Sequence, residues 1–203
     1  MTAADVTLTV EDVVGLAPVI PVVVIDDLEQ AVPLASALVR GGLPAIEVTL
    51  RTPVALAAIE RIAASVPGAV VGAGTVTTAA QVDDALAAGA RFLVSPGATP
   101  TLLYALQASG VPFLPGVATP SEVVALIERG IFYAKLFPAE VVGGVAALKA
   151  FAGPFPRMRF CPTGGVSASN AASYLALPNV VCVGGSWMTK GDVEALAAEA
   201  AAL

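Results

Sequence analysis

Histidine is absent from this 203-residue sequence, and ten Lys and Arg stand against sixteen Asp and Glu, for a net charge of −6. The lack of histidine excludes Ser–His–Asp and Cys–His catalytic arrangements and histidine proton shuttles. Any acid–base chemistry must use a carboxylate, a lysine, a tyrosine or water. The acidic balance, with no basic run, argues against nucleic acid as a partner.

Cysteine is scarce as well: Cys161 and Cys182 lie in separate strand-like segments. We predict two small buried thiols rather than a disulfide. So few soft ligands argue against zinc, while magnesium on carboxylates and water stays open. No apolar run is long enough to span a bilayer, and residues 1–14 lack the basic stretch of a secretory signal. We therefore expect a cytoplasmic protein without membrane contact.

Apolar residues make up 57% of the sequence and charged residues only 13%, a composition typical of helices packed on a buried parallel sheet. A short amphipathic helix is predicted over 9–16. The strand patterns that follow are 19–25, 45–50, 69–74, 92–95, 112–115, 132–137, 158–162 and 180–183. The helix patterns between them are 28–40, 54–64, 79–88, 100–108, 121–129, 145–152, 169–174 and 193–201.

This alternation predicts a (β/α)8 TIM barrel with a short extra N-terminal helix, in which residues 1–203 form one domain. A doubly wound sheet is the alternative, but near-equal units without an extra edge strand favour closure. Thr52, Thr99 and Thr119 each precede a proline, a pattern typical of helix N-termini. Because barrel active sites lie at the carboxyl ends of the strands, the residues there are the candidates for function.

One lysine, Lys135, lies in the otherwise apolar run 131–137 at the end of the sixth predicted strand. An amine among such neighbours loses hydration, which disfavours its charged form. A neutral amine in a dry pocket is the form that attacks a ketone. Strand alternation puts Phe137 on the same face, beside the amine. The alternative is a structural lysine at the rim whose amine reaches water.

The second predicted strand carries the other charged candidates. Alternation places Glu47, Thr49 and Arg51 on one face. A glutamate on an inner strand face is costly unless it is paired or functional. One interpretation is a structural Glu47–Arg51 ion pair, and the other is a carboxyl group that moves protons beside a lysine. The inward lysine four strands later favours the second interpretation.

Glycine pairs follow the seventh and eighth predicted strands, at Gly164-Gly165 and Gly184-Gly185, and Ser186 comes next. Backbone amides of Gly164, Gly165 and Gly185, with the Ser186 hydroxyl, can wrap an anion. Barrels commonly hold phosphate at these two units. The two turns therefore favour a phosphate site, and tight turns without a ligand are the alternative.

Seven motifs in order, each at a predicted strand end, resemble those of the 2-keto-3-deoxy-6-phosphogluconate (KDPG) and 4-hydroxy-2-oxoglutarate (KHG) aldolases. The resemblance covers nearly the whole chain. The motifs are PAIEVTLRT (44–52), VGAGT (71–75), VSPG (94–97), PGVATP (115–120), KLFPAE (135–140), CPTGG (161–165) and VGGSW (183–187).

The resemblance implies a class I aldolase on a barrel, a homotrimer that works through a Schiff base without metal or other cofactor. By position, Lys135 forms the imine with pyruvate and Glu47 is the general acid–base. The implied partners are a small 2-oxo acid or phosphosugar. The residues implied to bind it are Arg51 and Thr75 at the carboxylate, Pro96 and Phe137 at the pocket wall, and Gly164, Gly165 and Ser186 at the phosphate.

Two other functions stay open. A non-catalytic oligomeric scaffold, natural or engineered, would keep the fold while its surface serves assembly, and the alanine-rich helices support this reading. A phosphosugar isomerase on the same barrel would need no imine. The bulky run 131–133 departs from the family pattern, which has a small or hydroxyl residue where Tyr133 stands. This run is expected to affect either the packing of the barrel floor or the assembly of subunits.

Overall fold

The computed structural model describes residues 8–203, in which helices and short strands alternate. The strands are β1 Val19–Val23, β2 Ala45–Thr49, β3 Val70–Gly74, β4 Leu93–Val94, β5 Phe113–Leu114, β6 Gly116–Val117, β7 Tyr133–Leu136, β8 Arg159–Pro162 and β9 Val183–Gly185. The helices are α1 Val10–Val14, α2 Ala31–Arg40, α3 Ala55–Ser65, α4 Ala79–Ala87, α5 Pro100–Ala108, α6 Pro120–Ile127, α7 Gly144–Ala152, α8 Ala171–Leu175 and α9 Val193–Ala201, with a 3₁₀ turn at Leu28–Gln30.

The strands form two parallel sheets, in the orders β5-β4-β3-β2-β1-β9 and β6-β7-β8. The parallel α/β class is thus confirmed, but the strands are not one continuous eight-stranded sheet. In the second sheet, Lys135 lies opposite Gly116 on one side and Cys161 on the other. Beyond the two sheets, single bridges join residue 160 to 180 and residue 163 to 184.

A proline divides the strand predicted over 112–115. Pro115 has no N–H to donate to a ladder, and the strand splits around it into β5 and β6. Its carbonyl still accepts a hydrogen bond from the N–H of Lys135, at 2.9 Å. The last strand starts later than predicted, at Val183, because Val180 forms only an isolated bridge with Phe160.

Threonine caps start two helices as predicted. The hydroxyls of Thr99 and Thr119 accept hydrogen bonds from the main-chain N–H of Leu102 and Glu122, the third residues of α5 and α6. A proline is the first residue of each helix. The same prediction for Thr52 is wrong: α3 begins at Ala55, after Val54. The Thr52 hydroxyl instead donates to the carbonyl of Ile25 at 2.6 Å, which joins the loops after β1 and β2.

Apolar side chains pack in two buried clusters. The larger cluster joins the helices to the strands and includes Leu38, Ile59 and Leu136. The smaller one brings Val13 and Val14 of α1 against strand residues that include Ile20, Phe92 and Leu114. The predicted N-terminal helix is therefore present and buries its apolar face. Within residues 8–203, no helix is long and apolar enough to cross a bilayer.

The two cysteines lie in the smaller cluster as free, buried thiols, as predicted. A hydrogen bond with Cys161, together with complete burial, raises the pKa of the Cys182 thiol. A protonated, inaccessible thiol is a poor nucleophile. Cys161 and Cys182 therefore serve packing in the interior.

Candidate active site

A buried ion pair joins two strands that are far apart in the chain. Lys135 of β7 donates to Glu47 of β2, with its Nζ 3.0 Å from Oε1 and 3.4 Å from Oε2. Both side chains are only 4% exposed. Withdrawing two charges from water is costly, and such pairs are often neutral or unfavourable for stability. An amine and a carboxylate held this way, among strand ends, are the kind of pair found at functional sites.

Two aromatic side chains of the lysine segment have different surroundings. The ring centroid of Phe137 lies 5.4 Å from Lys135 Nζ, so the ring covers one side of the amine. Tyr133 packs against the smaller core cluster. Partial burial and a hydrogen bond with Glu11 of α1 raise the pKa of Tyr133. Tyr133 is thus partly buried against α1, whereas Phe137 borders the amine.

The guanidinium of Arg51 is held at the end of β2. Its Nε donates to the hydroxyl of Thr75 at 3.0 Å, while the predicted alternative partner, Glu47, pairs with Lys135. Thr75 follows β3 directly and has a φ of +59°. A left-handed conformation is strained for a β-branched residue, and such strain clusters at binding sites. We refer to Glu47, Arg51, Thr75, Lys135 and Phe137 together as the amine pocket.

Two glycines have no side chain where neighbouring atoms of this pocket come close. This role was not predicted from the sequence. A Cβ added to Gly74 would overlap the carboxylate and Cγ of Glu47. A Cβ added to Gly116, which lies opposite Lys135, would overlap the main chain of Pro96. Pro96 therefore lies against the strand beside the lysine. The first of these contacts depends on the strand register that pairs Gly74 with Thr49, which no pattern in the sequence gives.

The first glycine pair forms a turn that adjoins the amine pocket. Gly164 and Gly165 have φ angles of +96° and +82°, values that glycine tolerates and other residues rarely adopt. A Cβ on Gly164 would lie 3.1 Å from Pro138 Cα and 3.3 Å from Phe137 Cε2. Phe137 thus separates the amine from this turn.

The second glycine pair lies beside the first, because a bridge joins Thr163 to Gly184. A Cβ on Gly185 would overlap the indole ring of Trp187, so that ring lies directly on the turn. The next residue, Ser186, is exposed. Trp187 ends the motif VGGSW, and no sequence pattern predicts its contact with the turn. We refer to Gly164, Gly165, Gly184, Gly185 and Ser186 together as the glycine turns.

The chemistry that these side chains offer is that of an amine, a carboxylate and a guanidinium. Among residues 8–203, no group of three His, Cys, Asp or Glu side chains is placed to hold a metal ion. An amine can form a covalent adduct with a ketone, and a carboxyl group in hydrogen-bond contact with it can move the protons.

Comparison with known proteins identifies the family of this chain. The model of the family described as "Aldolase: KDPG and KHG aldolase" matches residues 10–200. The chain belongs to the KDPG and KHG aldolase family. The resemblance that the seven sequence motifs indicated is therefore confirmed.

Individual members of this family agree over nearly the full chain. The chain is 52% identical over 182 residues to the 2-dehydro-3-deoxy-phosphogluconate aldolase of Pseudoalteromonas atlantica, which covers 90% of this chain and 85% of that protein. It is 48% identical to the KDPG aldolase of Zymomonas mobilis, solved with 3-phosphoglycerate, with a TM-score of 0.92 and 95% coverage of both chains. The KDPG aldolase of Legionella pneumophila, with pyruvate captured at low pH as a covalent carbinolamine intermediate, is 46% identical, with a TM-score of 0.93 and coverage of 96% and 98%.

Proposed function

We propose that this protein is a class I aldolase that reversibly cleaves KDPG to pyruvate and glyceraldehyde 3-phosphate through a Schiff base on Lys135. The observation that carries the proposal is the buried contact of 3.0 Å between Lys135 and Glu47. Membership of the aldolase family supports it. The Legionella relative holds pyruvate as a carbinolamine, the adduct that an amine forms with a ketone before water is lost.

In the first half of the reaction, the two members of the ion pair exchange a proton with each other. Glu47 takes a proton from the Lys135 ammonium across their hydrogen bond, which leaves a neutral amine. The amine attacks C2 of the substrate, and one proton of its nitrogen passes to the carbonyl oxygen, which becomes the hydroxyl of a carbinolamine. Glu47 returns its proton to this hydroxyl, which leaves as water and gives the iminium. Glu47 is then a carboxylate again and can act as a base.

In the second half, the iminium accepts electrons from the C3–C4 bond. Glu47 takes the proton of the C4 hydroxyl, directly or through a water molecule, as that bond breaks and the aldehyde leaves. Glu47 returns that proton to C3 of the resulting enamine, and hydrolysis of the imine releases pyruvate and the amine. One carboxyl group suffices because Glu47 is within hydrogen-bond reach of the amine to which the substrate is attached.

The substrate's two anionic ends go to different parts of the site. The fork of Arg51, steadied by Thr75, suits a carboxylate, with Pro96 and Phe137 as the pocket wall. The glycine turns receive the phosphate through main-chain N–H groups and the Ser186 hydroxyl. The Zymomonas relative was solved with 3-phosphoglycerate, a small phosphorylated acid, which supports a substrate that carries a phosphate. KHG, which has no phosphate, is the second substrate of the proposal.

The proposal includes a closed (β/α)8 barrel. Only Pro115 separates β5 from β6, and the bridges at 160–180 and 163–184 connect β8 to the segment of β9. These links support one closed barrel within a single domain over residues 1–203. The homotrimer follows from the family resemblance, the cytoplasmic location is the expectation from the sequence, and both stay predictions.

Borohydride trapping with pyruvate tests the proposal. Reduction of the imine should add one pyruvate-derived mass to the peptide that carries Lys135. Lys149 and Lys190, the other lysines of the chain, serve as internal controls and should remain unmodified. Lys135→Ala should abolish the labelling. A folded protein that acquires no label would instead favour the isomerase or the scaffold.

A further inference from the structure

A glutamate and a buried tyrosine lie behind the first glycine turn. The main-chain N–H of Glu140, which follows β7, donates to the carbonyl of Gly164 at 3.1 Å, and the N–H of Ala139 donates to Thr163 at 2.8 Å. The chain that leaves the lysine strand therefore runs alongside the turn after β8. Contacts in this segment act on the turn directly.

The side chain of Glu140 packs on the second glycine of that turn. A Cβ added to Gly165 would overlap Glu140 Cγ and lie 2.7 Å from Glu140 Cβ. The stem of Glu140 thus fills the space where another residue would have its own side chain. Since glycine has wide backbone freedom, the packed stem limits rotation of the peptide groups at Gly165.

Tyr174 of α8 holds this glutamate in place. Tyr174 is fully buried, and its hydroxyl donates to Oε1 of Glu140. Burial and this hydrogen bond raise the pKa of Tyr174, so the hydroxyl keeps the proton that it donates. Gly144 leaves the room required: a Cβ there would lie 2.7 Å from the Tyr174 oxygen and 3.2 Å from Glu140 Oε1.

The other side of the turn has a separate support. The amide of Asn170 donates to the carbonyl of Gly165 at 3.0 Å, and its oxygen accepts the N–H of Ser167 at 2.8 Å. Asn170 thus fixes the carbonyl side of Gly165, while Glu140 fixes the packing over its Cα. Loss of the Glu140 contact leaves the Asn170 contact intact, so the turn should loosen rather than unfold.

We propose that Glu140 and Tyr174 are positioning residues that orient the Gly164-Gly165 peptide groups toward the substrate's phosphate. This inference rests on the proposed function of the glycine turns. Neither residue touches the reacting atoms, so affinity for phosphate should depend on the pair while the chemistry at Lys135 does not. The tyrosine has a second effect: a carboxylate released from it could approach the phosphate and repel it.

The experiment compares KDPG with KHG in two variants. Tyr174→Phe removes only the hydroxyl, and we expect KM for KDPG to rise about three- to tenfold, as for the loss of one hydrogen bond. KM for KHG and kcat for both substrates should stay within about twofold, since these do not involve the phosphate contact. Glu140→Gln keeps an acceptor and removes the charge, so it should have the smaller effect. Tyr104→Phe, at a tyrosine of α5 that is 73% exposed, is the matched control.

Trp187 provides a readout that needs no cleavage. It is the single tryptophan of the chain, and its ring covers Gly185. Titration with inorganic phosphate, followed by Trp187 fluorescence, should give a dissociation constant about three- to tenfold higher in Tyr174→Phe than in the parent. The inference would be overturned if folded Tyr174→Phe and the parent had equal dissociation constants for phosphate. It would also be overturned if Tyr174→Phe lost as much activity on KHG as on KDPG. In both cases pyruvate trapping at Lys135 would still occur. Failure of the aldolase proposal would give a different result, because the parent protein itself would then not be labelled by pyruvate and borohydride.

Discussion

The amine pocket and the glycine turns serve the two ends of the proposed substrate by different means. In the amine pocket, charged side chains of β2 and β7 meet at 3.0 Å and are nearly inaccessible to water. In the glycine turns, Gly164 and Gly165 present main-chain groups at positive φ, and Ser186 is an exposed hydroxyl. A side-chain amine or carboxyl can form a covalent bond or carry a proton, whereas a main-chain N–H group can only donate a hydrogen bond.

This difference separates chemistry from affinity. Every 2-oxo acid substrate must form the imine, so changes in the amine pocket should affect KDPG and KHG alike. Only a phosphorylated substrate meets the glycine turns, so changes there should affect KDPG alone. A pair of substrates that differ in the phosphate therefore distinguishes the two regions in kcat/KM.

Replacement of the amine should have the largest effect. Lys135→Ala should abolish cleavage of both substrates, because no other group of the pocket can form the imine. It also leaves Glu47 buried without its partner, which costs about 3–5 kcal/mol of stability. The control is Lys135→Met combined with Glu47→Gln, which should recover stability in urea unfolding without activity. Measurable cleavage by either protein would contradict the assignment.

Glu47→Gln should be the next most damaging change. The carboxamide keeps the shape of the side chain but cannot exchange protons with the amine or the C4 hydroxyl. We expect kcat to fall about a hundredfold or more on both substrates, with pyruvate trapping slowed. Glu60→Gln, at an exposed position of α3, is the matched control. If kcat did not change, a group other than Glu47 would have to transfer the protons.

Gly74→Ala tests whether placement of the carboxylate matters as much as its presence. The added methyl group would overlap Glu47 and must displace it. A shift of about 1 Å can cost up to a hundredfold in rate, and we expect a loss of that order, equal for KDPG and KHG. Gly153→Ala is the control, because a Cβ there meets nothing within 4 Å. If activity fell on KDPG but not on KHG, the amine pocket and the glycine turns would not have separate roles.

Ser186→Ala sharpens the comparison from the other region. A hydrogen bond from the hydroxyl to a charged phosphate is worth roughly 1.5–3 kcal/mol, so kcat/KM for KDPG should fall about ten- to a hundredfold. KHG should be nearly indifferent, since it never makes that bond. Steady-state kinetics with both substrates measure the effect. Equal losses would show that Ser186 supports the pocket as a whole.

The smallest effect is expected at an ion pair outside both regions. Arg40 and Glu194 are 2.8 Å apart, but their side chains are 58% and 50% exposed. Water and salt screen such a pair, so Arg40→Gln should change the free energy of unfolding by less than about 1 kcal/mol and leave activity unchanged. Urea unfolding at two salt concentrations is the measurement. A larger loss would mean that short distance, rather than burial, governs the importance of ion pairs here.

The correct sequence predictions rest mostly on local patterns, such as helix caps and the spacing of apolar residues. Helices α5 and α9 have the predicted bounds, Pro100–Ala108 and Val193–Ala201, because caps and helical periodicity lie within a few turns of chain. Lys135 and Glu47 also stood out locally, as charges inside apolar strand patterns. The local prediction failed at Thr52, whose hydroxyl bonds to Ile25 in another loop rather than starting α3.

The sequence by itself determined which residues stand at the strand ends and the family to which the chain belongs, since both are written in short contiguous motifs. Only the tertiary structure decided the pairings. Strand alternation left Arg51 or Lys135 open as the partner of Glu47, and the fold joined Glu47 to a lysine 88 residues away. The room at Gly74 and the contact of Tyr174 with Glu140 were equally invisible in the chain. Such contacts depend on the distances between strands and helices after packing, and no local pattern encodes those distances.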